Sequence, residues 1–311
     1  MKILVMGTGA VGSFYGGKLA RAGHEVIFIA RGENLHALQH QGLTVKSYQG
    51  DFRLERVHAT DRPQEAGACD LVLFCVKSYD TRDAARLIRS AVGPHTALIS
   101  LQNGVENEEL LEQTLGTDPI LGGMAYIGAE VVNPGVIVHA VAGRIAFGER
   151  SGQRTSRAAR LERMFLDAGI DAQLSSHIDT ILWDKLMWNA AFNAICTLSR
   201  STVGEVLAHP QTRVLVRETM TEVVAVARAQ GLDLEESRAD EHIASSQSPP
   251  MSTFATSMAH DLARGKRLEY DALNGAVVRF GERFRVPVPL NRMLYGLLAR
   301  LDAASRSSLS I

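Results

Sequence analysis

The chain has 311 residues, of which 46% are hydrophobic and 22% charged, with a formal net charge of -1 at pH 7. That length suits two domains, and the composition is that of an ordinary globular protein rather than a disordered one. Near-neutral charge without a long basic run excludes the electrostatic footprint of a nucleic-acid or anionic-membrane binder.

The cysteines Cys69, Cys75 and Cys196 are odd in number and form no C-x-x-C pair. Each sits in an apolar stretch, as buried free thiols do. The pattern suits a reducing compartment and argues against a disulfide framework or a bound metal. The first apolar run, Ile3 to Met6, is too short for a signal peptide, whose apolar core takes about 7–15 residues, or for a membrane span of about 20. The expectation is a soluble cytoplasmic protein.

Along the chain, Ile3–Met6 reads as a buried strand, Val11–Ala22 as a helix ending at Gly23, and Val26–Ala30 as the next strand. Leu71–Val76, a helix Thr81–Ala91 and a strand Thr96–Leu101 follow. Ile120–Ile127 and Gly135–Glu149, the latter with a turn at Gly143, read as further strands of the same sheet. Continuous hydrophobicity in the strands means that both faces are covered, and strand–helix–strand order then implies a Rossmann-type, doubly wound parallel sheet.

From about His177 the pattern is almost purely helical. The spacing predicts helices Ile178–Arg200, Gln211–Gln230, Leu234–Ser246, Ser252–Arg264, Arg267–Phe284 and Asn291–Ala304. They are punctuated by Gly231, Ser248-Pro249-Pro250 and Val286-Pro-Val-Pro289. The small, polar tail from Ala304 is expected to fray. The expected organisation is α/β, with a Rossmann domain over 1–175 followed by an all-helical domain over 176–311.

Gly7-Thr8-Gly9-Ala10-Val11-Gly12 follows the first strand and opens the first helix. In that context a G-x-G-x-x-G motif points to a dinucleotide site, the alternative being glycines that merely turn the chain. The first glycine makes the turn, the second admits the pyrophosphate, and the third lets helix and strand approach closely. The second strand ends in Arg31, where an NAD-binding unit would carry an acid for the ribose hydroxyl. A guanidinium there pairs with a 2′-phosphate and favours NADPH; the alternative is a solvated loop arginine. Lys77 ends a strand on the carboxyl edge, either supporting the cofactor or as an ordinary edge lysine.

Lys185, Asn189 and Asn193 stand at i, i+4 and i+8 in an otherwise strongly apolar helix. They share one face, and burying them is costly without polar partners, so they read as a polar stripe lining a cleft; the alternative is a lysine at the surface end and two asparagines bonded to neighbouring backbone. Ser257, Asp261 and Glu269 form a second column, interrupted or not by Gly265, from which Glu269 could pair with Lys185. Asn103, in Gln102-Asn103-Gly104 after a strand, is placed to reach the nicotinamide region or simply to make an Asn-Gly turn.

Taken in order, the glycine motif, Arg31, Val76-Lys77, Gln102-Asn103-Gly104, Trp183-x-Lys185-x-x-x-Asn189-x-x-x-Asn193, Ser257-Met258 and Glu269-x-Asp271 resemble the signature of the ketopantoate (2-dehydropantoate) reductase family. The match runs from residue 3 to about 290, and the lysine–asparagine helix is its specific element. The resemblance implies NADPH-dependent reduction of 2-dehydropantoate to (R)-pantoate in pantothenate biosynthesis. It makes Lys185 the general acid, with Glu269 orienting it and the substrate. Asn103, Asn189, Asn193 and Ser257 would hold the small 2-oxo acid, and Asn103 would also position the nicotinamide. Ala194 stands where the family often has proline. The sequence leaves open whether the helical domains pair into a homodimer.

Other readings are a reductase of another 2-oxo acid, or an opine-type or 3-hydroxyacid dehydrogenase. Opine enzymes commonly use histidine near the chemistry, and no histidine falls in these columns. A non-catalytic NADPH-sensing regulator has no use for a proton donor.

Overall fold

The computed structural model describes residues 1–116 and 120–307. The chain divides into two compact units. One comprises Met1–Gln102 and Asn107–Ile178, and the other Asn103–Glu106 and the chain from Asp179 onward.

The first unit is built on one sheet of ten strands among the described residues. Its parallel centre runs β5 (His58–Thr60), β2 (Glu25–Ile29), β1 (Lys2–Met6), β6 (Leu71–Phe74), β7 (Ala97–Ser100) and β8 (Ile120–Asn133). Side chains alternate across it. Ile3 and Val5 join a core with α1 (Ala10–Arg21), α2 (Gly32–Gln41) and α5 (Ser156–Asp167), whereas Leu4 and Met6 join one with α3 (Thr81–Leu87) and α4 (Asn107–Leu115). Helices thus cover both faces, which is why these strands read as unbroken apolar runs.

Beyond β8 the sheet departs from the expected parallel order. The antiparallel partner of β8 is β9 (Val136–Glu149), and the two are fourteen-residue strands joined at Pro134–Gly135. No turn occurs at Gly143. Ala142, at φ 60, and Gly143 form a bulge inside β9. Buried His139 braces it: Nε2–H donates to the Ala142 carbonyl at 3.0 Å, so Nδ1 accepts from the Ser47 hydroxyl at 2.9 Å. The strands β3 (Leu43–Ser47) and β4 (Phe52–Leu54) extend this side through β9, and β10 (Ala172–Leu174) pairs with the other end of β9.

These three strands and β5 carry no sequence pattern strong enough to announce them, being short or half-exposed, and tertiary pairing completes them. The helices α2, α4 and α5 are also additional to the expected elements, although α5 buries Ala158, Leu161, Met164 and Phe165 along one face behind a Thr155 cap. The helix expected over Thr81–Ala91 is α3 followed by a tight 3₁₀ turn at Arg89–Ala91.

The second unit is helical around a single core. Its helices are α6 (Ile178–Ser199), α7 (Val203–Ala208), α8 (Pro210–Ala229), α9 (Ser237–Ser246), α10 (Ser257–Ala263), α11 (Ala276–Phe284) and α12 (Pro289–Ser307). Two expected helices are shorter than their periodicity suggests. Met251–Thr253 is a 3₁₀ turn ahead of α10, and the chain between Ala263 and Asp271 is not helical. A π-helical stretch, Asp271–Gly275, then leads into α11. The expected fraying tail lies partly in 308–311, outside the described residues. No helix among the described residues is long and apolar enough to cross a membrane.

Candidate active site

In the first unit, β1 ends at Met6 and the chain turns sharply at Gly7, whose φ of 101° favours glycine. Thr8 fastens the turn to the end of β2, its N–H and hydroxyl both donating to the Ile29 carbonyl, at 3.0 and 2.7 Å. A Cβ at Gly12 would lie 2.2 Å from the Gly7 carbonyl oxygen and 2.8 Å from Val5 Cγ1, so only glycine allows α1 this close to β1. A Cβ at Gly9 would meet nothing within 4 Å. Gly9 caps α1 without a side-chain acceptor, and the first turn holds no acidic residue. Open space in front of uncapped helix N–H groups fits an anionic pyrophosphate.

Arg31 is exposed and caps the N-terminus of α2, immediately after β2. Lys77 follows β6 at the start of a 3₁₀ turn over Ser78–Asp80. Beneath it lies a buried polar group in which the Gln102 amide donates to the Val76 carbonyl at 3.0 Å and to the Thr81 hydroxyl at 2.7 Å. Sequence reasoning missed Asn34. Its Nδ2 donates to the Thr8 carbonyl at 2.9 Å, and its Oδ1 accepts from the Gly135 N–H at 2.9 Å, tying the glycine loop to the β8–β9 turn. No local pattern reveals a residue whose partners lie 26 and 101 positions away.

In the second unit, Lys185, Asn189 and Asn193 share a face of α6. Both asparagines are buried and Lys185 is partly exposed. Leu186, Met187, Ala190 and Ala191 on the same helix pack into the core, which holds the polar face in one orientation. Asn189 Nδ2 donates to Asn103 Oδ1 at 3.5 Å, so the Asn103–Glu106 segment brings the expected amide to this face. Burial pushes the Lys185 ammonium down to about 8, and the negative charge of buried Glu269 opposes that shift. Glu269 does not continue the column of α10, because the helix ends at Ala263 and Gly265 breaks it. Asp261 is buried on α10, and Ser257 is exposed as its first residue, beside Thr256, whose hydroxyl caps the helix by accepting from the Ala259 N–H.

Asp184, next to Lys185, points to a different partner. Arg238 of α9 grips it in a fork at 2.9 and 3.0 Å, and His242 Nε2 lies 3.1 Å away. Burial acts to raise the Asp184 carboxyl, but the hydrogen bonds from His242 and Arg238 outweigh it and hold the group at about 2. A depressed carboxylate stabilises the fold above its unfolded value and loses that contribution as the pH falls through its folded one. Asp184→Asn is therefore expected to cost about 2 kcal/mol at pH 7. The deficit should shrink as the pH drops from about 4 through about 2. Chemical denaturation across that range checks it; a deficit independent of pH would mean the carboxylate charge is not what holds α9.

A largely parallel sheet opening on a glycine-rich turn at a helix N-terminus, and a helical unit carrying a lysine–asparagine face, are those of a pyridine-nucleotide-dependent oxidoreductase of a small molecule. The model described as "Ketopantoate reductase PanE/ApbA" matches residues 3–152, and "Ketopantoate reductase PanE/ApbA C terminal" matches 177–302. The chain belongs to the ketopantoate reductase family. The 2-dehydropantoate 2-reductase of Archaeoglobus fulgidus is 32% identical over 97% of this chain and 98% of its own. The crystal structure of a PanE/ApbA family ketopantoate reductase from Ralstonia eutropha JMP134 superposes with a TM-score of 0.91 at 37% identity, covering 98% of this chain and 100% of that one. A 2-dehydropantoate 2-reductase from Geobacter metallireducens GS-15 gives 0.92 at 35% identity, covering 96% and 99%.

Proposed function

We propose that the chain reduces 2-dehydropantoate to (R)-pantoate with NADPH, as a cytoplasmic step of pantothenate biosynthesis. The observation that carries the reading is the α6 face on which Lys185 stands with buried Asn189, itself bonded to Asn103, and within the field of buried Glu269. An ammonium that titrates near physiological pH gives up its proton readily, and its charge is directed at an oxygen that becomes alkoxide-like.

Residues 1–175 hold the dinucleotide. Gly7, Thr8, Gly9, Ala10, Val11 and Gly12 receive the pyrophosphate at the N-terminus of α1, Arg31 pairs with the 2′-phosphate, and Lys77 adds positive charge at the carboxyl edge. Residues 176–311, with Asn103, hold the 2-oxo acid. The reduced nicotinamide supplies a hydride when bound. Lys185 protonates the carbonyl oxygen, Glu269 keeps the ammonium charged and aimed, and Asn103, Asn189, Asn193 and Ser257 hold the carboxylate, keto and hydroxyl groups.

The test is cofactor oxidation by the purified protein with 2-dehydropantoate, pyruvate, 2-oxoisovalerate and 2-oxoglutarate. A preference for 2-dehydropantoate is expected. Turnover of another acid alone reassigns the substrate, and no turnover with any acid favours a nucleotide-sensing regulator. Arg31→Ala is expected to weaken NADPH binding roughly ten- to hundredfold, the value of a charge-assisted hydrogen bond, while NADH binding changes little. Equal weakening of both cofactors, measured by fluorescence titration, removes Arg31 from the 2′-phosphate.

A further inference from the structure

Arg279 on α11 divides its guanidinium between two segments far apart in sequence. Nε and Nη2 hold the Glu106 carboxylate at 3.0 and 2.5 Å. Nη1 donates to Asp271 Oδ1 at 2.9 Å, and Nη2 also donates to the Asp271 carbonyl at 2.8 Å. The Tyr295 hydroxyl, from α12, donates to the same Asp271 Oδ1 at 2.9 Å. Gly275 keeps this network open, since a Cβ there would lie 2.9 Å from both Asp271 Oδ1 and Tyr295 Cε2 and 3.1 Å from Arg279 Nη1.

Each gripped segment carries a residue of the proposed chemistry. Glu106 closes the excursion Asn103–Glu106, whose Asn103 accepts from Asn189. Asp271 opens the π-helical stretch two residues after Glu269, and such bulges frequently occur at functional sites. The far end of that stretch is tied to α6 as well, with Asn274 Nδ2 donating to the Ala190 carbonyl at 2.9 Å.

We propose that Arg279 is a positioning residue which, through Glu106 and Asp271, sets Asn103 and Glu269 against the Lys185–Asn189 face of α6. The inference rests on the reading of Asn103 and Glu269 given above. Lysine is no substitute, because a point charge cannot fork onto one carboxylate and reach a second acceptor set. Arg279 and Asp271 are exposed and Glu106 is half-buried. Exposed pairs contribute little singly, and more when bidentate and networked as here, so the melting temperature is read beside the rate.

The test compares Arg279→Met, Arg279→Lys, the milder Glu106→Gln, the double variant Glu106→Gln/Arg279→Met, and Asn103→Ala, all in the full chain. Amide hydrogen exchange at residues 104–106 and 270–272 is expected to rise roughly tenfold in Arg279→Met, with the melting temperature close to wild type. With the oxo acid that the protein turns over, kcat/KM is expected to fall roughly ten- to hundredfold, the size of a small misplacement of reacting groups. The NADPH Kd should change less than kcat/KM, because the glycine motif and Arg31, read as holding the pyrophosphate and 2′-phosphate, are unaltered in these variants. The double variant should be no worse than the worse single one, as members of one unit are non-additive.

Wild-type exchange, or wild-type kcat/KM, in Arg279→Met and Glu106→Gln overturns the inference. So does a general loss of stability that accounts for the lost turnover. If Asn103→Ala abolishes turnover while Arg279→Met preserves it, the positioning role fails and the functional reading stands. If Asn103→Ala keeps full turnover, the two fall together.

Discussion

Lys185→Met is expected to lower turnover by roughly two to four decades, the span associated with loss of a general acid, while NADPH still binds. The methionine keeps the aliphatic stem and removes only the charge. Wild-type Lys185 sits at about 8 instead of its usual 10.5. The folded state thus disfavours the ammonium, at a cost of about 3 kcal/mol below pH 8. Because the folded value is the lower one, the cost diminishes as the pH rises from about 8 towards 10.5. Relief of that cost offsets the lost attraction for buried Glu269, so the variant should melt within a few degrees of wild type at pH 7. Lost activity without lost stability marks a group retained for chemistry. Wild-type kcat/KM for reduction should also fall as the pH rises through about 8, where the acid loses its proton. Near-normal turnover in Lys185→Met, or a rate indifferent to pH across that range, assigns the proton to another donor.

Gly12→Ala and Gly9→Ala are expected to weaken cofactor binding strongly, for different reasons. A methyl at position 12 would press to 2.2 Å on a backbone oxygen, and a carbonyl held by the β1–α1 connection has no room to withdraw. The variant should lose roughly 1–3 kcal/mol of stability, as overpacked sites do, together with its affinity for NADPH. A methyl at position 9 meets nothing in the protein, so Gly9→Ala should melt like wild type. Its methyl nevertheless occupies the approach to the N-terminus of α1, and NADPH binding should weaken by roughly a hundredfold, as expected for an anion that cannot reach the helix N–H groups. Calorimetric titration alongside thermal melts separates the two. Normal binding by Gly9→Ala removes the loop from the pyrophosphate.

Much of the site was legible because its signals are local. The glycine motif declares itself between an apolar strand and an apolar-periodic helix, and Lys185, Asn189 and Asn193 fall at helical spacing on α6. A residue's place on a long regular helix follows from counting, since the period is a property of the backbone itself. The covered strands β1, β6 and β7 were equally legible, because burial on both faces leaves runs without polar interruption.

Glu269 shows where counting fails. Its distance from Ser257 suggests a shared helix face, yet the chain breaks at Gly265 and re-forms as a π-helical stretch. The charge of the glutamate reaches Lys185 through the packing of separate elements. Likewise, the β9 bulge is braced by His139, which Ser47 of β3 holds in turn, and β3 finds its pairing on β9 and offers its other edge to β4.

The class of fold, the glycine-rich turn at the start of α1 and the lysine–asparagine face of α6 are all written in residues a few positions apart. Tertiary structure alone decided the mixed edge of the sheet, the anchoring of the glycine loop by Asn34, the lowering of Lys185 beside Glu269, and the Arg279 link between Glu106 and Asp271. Periodicity and propensity act over one or two turns of chain. Burial, charge and hydrogen-bond partners depend on distance in space, which no spacing along the chain encodes.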